Sequence, residues 1–391
     1  MGGSVHILKR WPCGGGMEAI ARWHLDRGEP IFAFAGKSEL LVGDKMDGGD
    51  PAVHHGGAVP DRRVAAVARE ACEVWSRARW TGGIFYNGYG LGWGTEPTPE
   101  ARRILYLHSD YPGFNRWLRA LAPYVDGVLC YNAALRDKTL STVGGGCAER
   151  VFSLPLPVEI DEAPALEPPP SRMPVVIGYS GRVQIAQKRL DRLGAFFAAL
   201  GDAGIDYRFE ILGEGDALPE LRRRFAGDRR VLFHGHCFGA AYRAVLRRWK
   251  YLFFCSDYEG LPVSLLEGVA AGAVPVYPDF HAGKDWPARL DPGLLYPMGD
   301  MKAAAEIIRR AETAWGPASW SLFRRRARAL LAEHTRENYF AAFDAAVEAV
   351  AFLPPRRRQR PSPWLRFTPL WLAHRLEARR RGTHRAKGPR S

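Results

Sequence analysis

The chain has 391 residues, 47% of them hydrophobic and 25% charged, an ordinary globular balance on a length that predicts two domains rather than one core. The net charge of +13 is not spread over the protein: residues 356–391 hold eleven Arg and one Lys against one acid, Glu377, which is +11 and leaves +2 for residues 1–355. That placement argues against a duplex-binding face on the folded body. The six cysteines contain no C-x-x-C pair and predict buried free thiols in a reducing compartment. Neither a secretory signal nor an 18-residue apolar window is visible, so the expectation is a cytoplasmic protein, free or attached to a membrane from the cytoplasmic side.

In chain order, Val5–Leu8 reads as a strand, followed by the turn Gly14-Gly15-Gly16 and a helix from Met17 to Asp26. Ile31–Ala35 is a second strand, and Val42–Pro60, rich in Gly, Asp and His, reads as loop. Gly83–Tyr86, Arg103–Leu107 and Gly127–Cys130 are further short apolar runs beside helical sequence, an alternation that predicts a parallel sheet covered by helices. Seven prolines between Pro155 and Pro174 exclude helix and central strand, and place a linker there.

A second alternation follows: strands at Val175–Tyr179, Tyr207–Leu212, Val231–His234, Tyr251–Cys255 and Val274–Tyr277, with helices at Leu190–Leu200, Ala217–Phe225, Ala240–Arg248 and Val263–Ala271. Residues 319–352 read as helical and Ala/Arg-rich, and 354–391 as a basic tail with aromatic residues. The expected division is 1–155 for an N-terminal Rossmann-like domain, 156–174 for the linker and 175–335 for a C-terminal Rossmann-like domain. A closing helix over 336–353 and the tail over 354–391 complete it.

The segment from Ser256 to Gly268 carries the strongest chemical signal. It follows a predicted strand and opens a helix, with Pro262 suited to the first helical turn and the amides of Val263 and Ser264 left free to face an anion. Glu259 precedes the helix and Glu267 lies within it. Two carboxylates beside an anion site suit a ligand that also brings hydroxyls, such as a sugar or ribose. These glutamates eight apart, with Gly260 and Leu261 after the first, resemble the retaining glycosyltransferases of the GT-B fold, in the GT4-like group (glycosyl transferases group 1).

The resemblance implies an α/β GT-B protein: two Rossmann-like domains facing a cleft, with a C-terminal helix returning to the first domain. It assigns Glu259 to the donor sugar and Glu267 to the ribose hydroxyls. Gly181-Arg182 and Lys188 resemble the family's cationic element at the diphosphate, although Arg189 stands where the family usually has glycine. Gly213 resembles its strand-end Gly-x-Gly turn, and Phe233-His234-Gly235 lies at a strand end where the base is expected. In the first domain, Gly15 and Gly16 are expected across from the donor and His108 is expected to reach its sugar, though not as a general base. His334 to Tyr339 resembles the family's closing helix.

Retaining transfer of a sugar from a nucleotide-diphosphate donor to a saccharide or lipid-linked acceptor is the implied activity, in cell-surface polysaccharide or lipopolysaccharide assembly. With no D-x-D motif placed to hold a metal and two cations at the diphosphate, no metal cofactor and no nucleic-acid partner are expected. An anionic membrane surface is expected to meet residues 356–391. Three other readings explain less. A dinucleotide oxidoreductase fits Gly14-x-Gly16-x-x-Ala19 but lacks the acid after the second strand. A GT-B epimerase shares the donor motifs, and a basic adaptor leaves them unexplained.

Overall fold

The computed structural model describes residues 4–10, 16–35, 53–55, 69, 72–73, 75–87, 101–108, 110–159, 174–280 and 283–356. The chain divides into two compact units, Met1–Leu154 with Ala341–Ser391, and Pro155–Phe340.

The first unit is built on seven strands: β1 (Ser4–Arg10), β2 (Ile31–Ala35), β3 (Val53–His55), β4 (Gly82–Tyr86), β5 (Arg102–Leu107), β6 (Gly127–Cys130) and β7 (Val151–Ser153). All pair in parallel, in the order β3-β2-β1-β4-β5-β6-β7. The central strands are mostly apolar because parallel sheets are covered on both faces; β4 is buried along its whole length, while β1 and β5 also bury His6 and Arg103. Helices α1 (Gly16–Asp26), α2 (Phe114–Leu121) and α3 (Ala133–Val143) belong to this unit. The side chain of Asn132 caps α3, accepting from the Leu135 amide at 2.7 Å. Val5, Ile7, Phe85, Leu105, Trp117 and Val128 sit together in the core. β3 corrects the loop expected over 42–60: Val53–His55 pairs with Ile31–Ala33 at the sheet edge.

The second unit carries β8 (Val175–Ser180), β9 (Tyr207–Leu212), β10 (Val231–Gly235), β11 (Tyr251–Phe253), β12 (Val274–Asp279) and β13 (Leu295–Pro297), again all parallel, in the order β10-β9-β8-β11-β12-β13. Its helices are α4 (Leu193–Asp202), α5 (Leu218–Arg224), α6 (Gly239–Leu246), α7 (Val263–Ala270), α8 (Asp285–Leu290), α9 (Met301–Ala314) and α10 (Pro317–Leu331), and α11 (Arg336–Phe352) begins in it. The helix expected from Leu190 begins instead with a 3-10 turn over Leu190–Arg192. Close approach fixes two glycines. A Cβ on Gly178 would stand 1.9 Å from the Trp249 indole, and one on Gly268 would stand 2.4 Å from Leu252.

The helical region expected over 319–352 holds two helices, α10 and α11. Thr335 leaves the helical region and its hydroxyl accepts from the Asn338 amide at 3.1 Å, which ends one helix and caps the next. From Ala341 onward, α11 belongs to the first unit. There Phe343 packs on the His24 ring (4.5 Å between centroids), Asp344 pairs with Arg27 at 3.1 Å, and Arg102 donates to the Ala351 carbonyl at 2.8 Å. Val350 fills the space a Cβ on Gly127 would need. Beyond the helix, Asp126 accepts from the Arg356 amide at 2.6 Å and from the Arg103 amide at 2.8 Å. Among the described residues, no helix is long and apolar enough to cross a membrane.

Candidate active site

The strand order of the second unit reverses between β8 and β11, which is where open α/β sheets leave a crevice at their carboxyl ends. Both charged segments singled out in the sequence issue from these two strands. After β8 the chain turns at Gly181 (φ +153), and after β9 at Gly213 (φ +144). Only glycine suits the second position, because a Cβ there would lie 1.9 Å from the Gly181 carbonyl oxygen. Backbone bonds lace the turns together: Gly181 N–H to Leu212 C=O (3.1 Å), Val183 N–H to Glu214 C=O (2.8 Å) and Gly213 N–H to Gly235 C=O (2.7 Å).

Arg182, Lys188 and Glu259 meet in one network. Glu259 is 6% exposed, and its Oε1 accepts from Lys188 Nζ at 2.5 Å and from Ser256 Oγ at 2.7 Å. Its Oε2 accepts from Gln187 Nε2 at 3.2 Å. Gln187 also donates to the Tyr258 carbonyl at 3.0 Å, and its Oε1 accepts from Arg182 at 2.9 Å. A buried carboxylate is tolerated when paired and hydrogen-bonded in this way. Gln187 and Ser256 are members that sequence reasoning did not assign. Ser256 stands inside the recognised motif, whereas Gln187 has no signal of its own beyond its place before Lys188.

Glu267 forms a separate cluster. Tyr242, from α6, donates to its Oε2 at 2.6 Å and meets Ser180 Oγ at 3.1 Å. The carboxyl is half-buried, and burial lifts it above its usual range against the opposing pull of the Tyr242 bond. Ser180 precedes Gly181, so the two clusters flank the same strand end. Pro262 (φ −65, ψ 129) is the N-cap of α7 and lies outside its first turn, a correction to the sequence reading. The first backbone bond there runs from the Leu265 amide to the Pro262 carbonyl at 3.0 Å, so the amides of Val263 and Ser264 precede it. Gly260 and Leu261 are buried in the loop ahead. His234 is engaged elsewhere: it meets Glu210 at 3.0 Å, and the same Glu210 oxygen accepts from Trp249 at 3.0 Å and from Arg248 at 2.9 Å.

In the first unit, His108 follows β5. Its ring stands among Tyr86, Tyr106 and Tyr131, with Tyr131 Oη 3.4 Å from Nε2, and its amide donates to Asn87 Oδ1 at 3.0 Å. Burial pushes its pKa down to about 3, so the imidazole is neutral at pH 7. Gly16 opens α1, whereas Gly15 lies outside the described residues. A second titratable group is the set His6, His24 and Glu29, whose ligand atoms lie within 4.8 Å of one another. Glu29 Oε2 is 2.8 Å from His6 Nε2 and 2.9 Å from His24 Nδ1. Burial drives His24 down to about 3. Burial alone would raise Glu29, but hydrogen bonds from His24 and His6 outweigh it and hold the carboxyl well below its usual range.

Residues 174–313 match the family Glycosyl transferases group 1. Among solved structures, Anabaena HepE in complex with UDP-glucose superposes with a TM-score of 0.68 at 14% identity, over 90% of this chain and 100% of that one. The lipopolysaccharide outer core galactosyltransferase WaaB, in its apo form, gives 0.62 at 17% identity over 88% and 99%. A variant of S. aureus TarM, solved with Fondaparinux, alpha-GlcNAc-glycerol and UDP, gives 0.58 at 16% over 72% and 58%. This chain therefore spans about three fifths of the TarM chains it matches. The search of curated proteins finds no match. Both sheets have the GT-B arrangement of these glycosyltransferase structures, and at these identities the likeness speaks for the fold.

Proposed function

We propose, on the premise that residues 174–313 form a glycosyl transferases group 1 domain within a GT-B fold, that the protein is a retaining, metal-independent glycosyltransferase. It moves a sugar from a nucleotide-diphosphate donor to a saccharide or lipid-linked acceptor in cell-surface polysaccharide or lipopolysaccharide assembly. The observation that carries this reading is the junction of Arg182, Lys188 and Glu259 at the switch point of the matched domain. HepE solved with UDP-glucose and TarM solved with UDP support the donor class.

In the proposed reaction the bond from the anomeric carbon to the phosphate oxygen breaks, its electron pair leaves with the nucleoside diphosphate, and the acceptor hydroxyl oxygen bonds that carbon while its proton passes to the departing phosphate. Arg182 and Lys188, helped by the first amides of α7, stabilise that charge as it develops. Glu259 holds the donor sugar and Glu267 the ribose hydroxyls. Neutral His108 offers a hydrogen bond to the sugar; with its pKa near 3 it is a poor proton acceptor, which agrees with a contact role. Replacing both Arg182 and Lys188 by Ala tests the assignment. Affinity for a nucleoside diphosphate falls while that for the nucleoside holds; equal losses for both ligands would count against it. Activity survives a chelator, and strict Mg²⁺ or Mn²⁺ dependence would rule out the metal-free chemistry.

The proposed setting is the cytoplasmic face of a membrane. Support for it lies in the sequence of residues 356–391, which joins +11 of charge to Trp364, Phe367 and Trp371. Aromatic side chains favour the membrane interface, and each cation near an anionic leaflet contributes about 1 kcal/mol. Residues 357–391 lie outside the described part of the chain.

A further inference from the structure

Three non-glycine residues among those described have positive φ: Arg79, Asn87 and Arg189. Arg189 (φ 55, ψ 39) immediately follows Lys188. A residue with a Cβ is disfavoured there and stays only where its surroundings hold it. Its guanidinium is held on two sides. Nε and one terminal nitrogen fork onto Asp191 at 3.1 and 2.9 Å, and the other terminal nitrogen reaches Asp257 Oδ2 at 2.8 Å. The second oxygen of Asp257 accepts from Arg192 at 2.7 Å, and Arg192 donates onward to the Cys255 carbonyl at 2.8 Å.

This lattice joins two loops. One runs from Arg182 through Gln187 and Lys188, and the other from Ser256 to Glu259. Asp257 lies two residues before Glu259, and its amide donates to the Gln187 carbonyl at 2.9 Å. The Cys255 thiol donates to the Lys188 carbonyl at 3.1 Å, so the backbone around Lys188 is gripped from both directions. Arg189 itself bonds neither Glu259 nor Arg182 in this network.

We propose that Arg189 is a positioning residue for the diphosphate-binding cations, acting through Asp257. Its left-handed backbone turns the chain just after Lys188, and its ion pairs hold that turn against the Glu259 loop. The Lys188 ammonium is thereby fixed on Glu259, which Gln187 links to Arg182. Two loops locked in register present both cations together, which lowers the ordering a diphosphate must impose on binding. The inference rests on the glycosyl-transfer reading and adds to it a residue that touches no substrate.

The test is calorimetric titration of UDP, GDP and ADP, each against its nucleoside, into the full chain and three variants. Arg189→Gly relieves the backbone and removes the fork. The expected result is a diphosphate affinity about tenfold weaker, with nucleoside affinity and Tm unchanged. Asp257→Asn weakens the diphosphate similarly, and combining the two costs less than the sum of the single losses, because both break the Arg189–Asp257 pair. Arg189→Lys keeps a charge but not the fork, and recovers part of the loss. If Arg189→Gly lowers Tm, Asp257→Asn carries the comparison. Diphosphate binding as tight as wild type in both single variants, or an equal loss of both ligands, overturns the positioning role. Should the wild-type protein bind none of the three diphosphates, the glycosyl-transfer reading itself falls, an outcome separable from the first.

Discussion

Glu259 sits almost out of reach of water because Lys188, Ser256 and Gln187 occupy its oxygens. Glu259→Gln removes the negative charge while keeping the shape, so nucleotide binding survives and turnover drops by about a hundredfold or more, the scale of losing one well-placed electrostatic contact. Glu267→Ala removes a charged acceptor, and weakens nucleotide binding by about 1.5–3 kcal/mol. Wild-type transfer rates in both variants would sink the site. The glutamates were legible because their spacing lies within one segment. Gln187 was not, since its partner Glu259 is 72 residues away in sequence; Tyr242 meets Glu267 across another long interval. Only the fold makes such pairs neighbours. The His24–Glu29 set gives a pH dependence. A histidine depressed to about 3 is neutral in the fold but takes a proton in the unfolded chain below about pH 6.5, so its contribution is complete above that and lost as pH falls. Glu29, held low, loses its contribution in the same direction. Unfolding free energy from urea titration is expected to fall from pH 7.5 to pH 5, by up to about 1.4 kcal/mol per pH unit for His24, and His24→Leu makes the change smaller, leaving the part that His108 contributes with the same sign. Equal unfolding free energies at both pH values in the wild type would refute this account.

Among the elements, the strand ends bear the tightest geometric demands. Gly213→Ala drives a Cβ against the Gly181 carbonyl at the turn carrying Arg182, in a φ region that already disfavours alanine. Strain of this kind costs about 1–3 kcal/mol before the overlap is counted, so thermal unfolding should drop by several degrees with nucleotide affinity falling alongside. An unchanged melting curve would mean that the turn rearranges freely. The long apolar strands were readable from sequence because double-sided burial writes continuous hydrophobic runs. Of the three-residue strands, β11 was readable, whereas β3, β7 and β13 were not: Val53-His54-His55 has neither a run nor an alternation, and its pairing is set by β2. α9 had clear signals that went unassigned, with Asp300 capping it at 2.9 Å and Ala304, Ile307, Ile308 and Ala311 on its buried face.

At the scale of the whole molecule, the last described segment completes the first unit. Phe343, Val350 and Ala351 cover or tie α1, β5 and β6, and Asp126 holds the Arg356 amide. Ending the chain at Phe340 should therefore leave the Pro155–Phe340 unit protease-resistant while Met1–Leu154 becomes susceptible; a stable N-terminal fragment would show that the helix is dispensable. Ending it at Leu353 instead removes the basic tail. Loss of co-sedimentation with anionic vesicles at low salt, against retention by the full chain, is the outcome expected of a membrane-binding tail, and equal recovery would leave it without that role.

Because residues 341–356 finish a unit begun by residue 4, the order of synthesis and the order of completion differ. The first sheet emerges from the ribosome early, yet its covering helix follows only after all of Pro155–Phe340 has been made. At about 5–20 residues per second, that interval is on the order of 10–40 s. During it, the apolar surface destined for Val350 and the His6–His24 face destined for Phe343 lack their cover. The nascent first unit thus keeps that surface exposed until this helix is released.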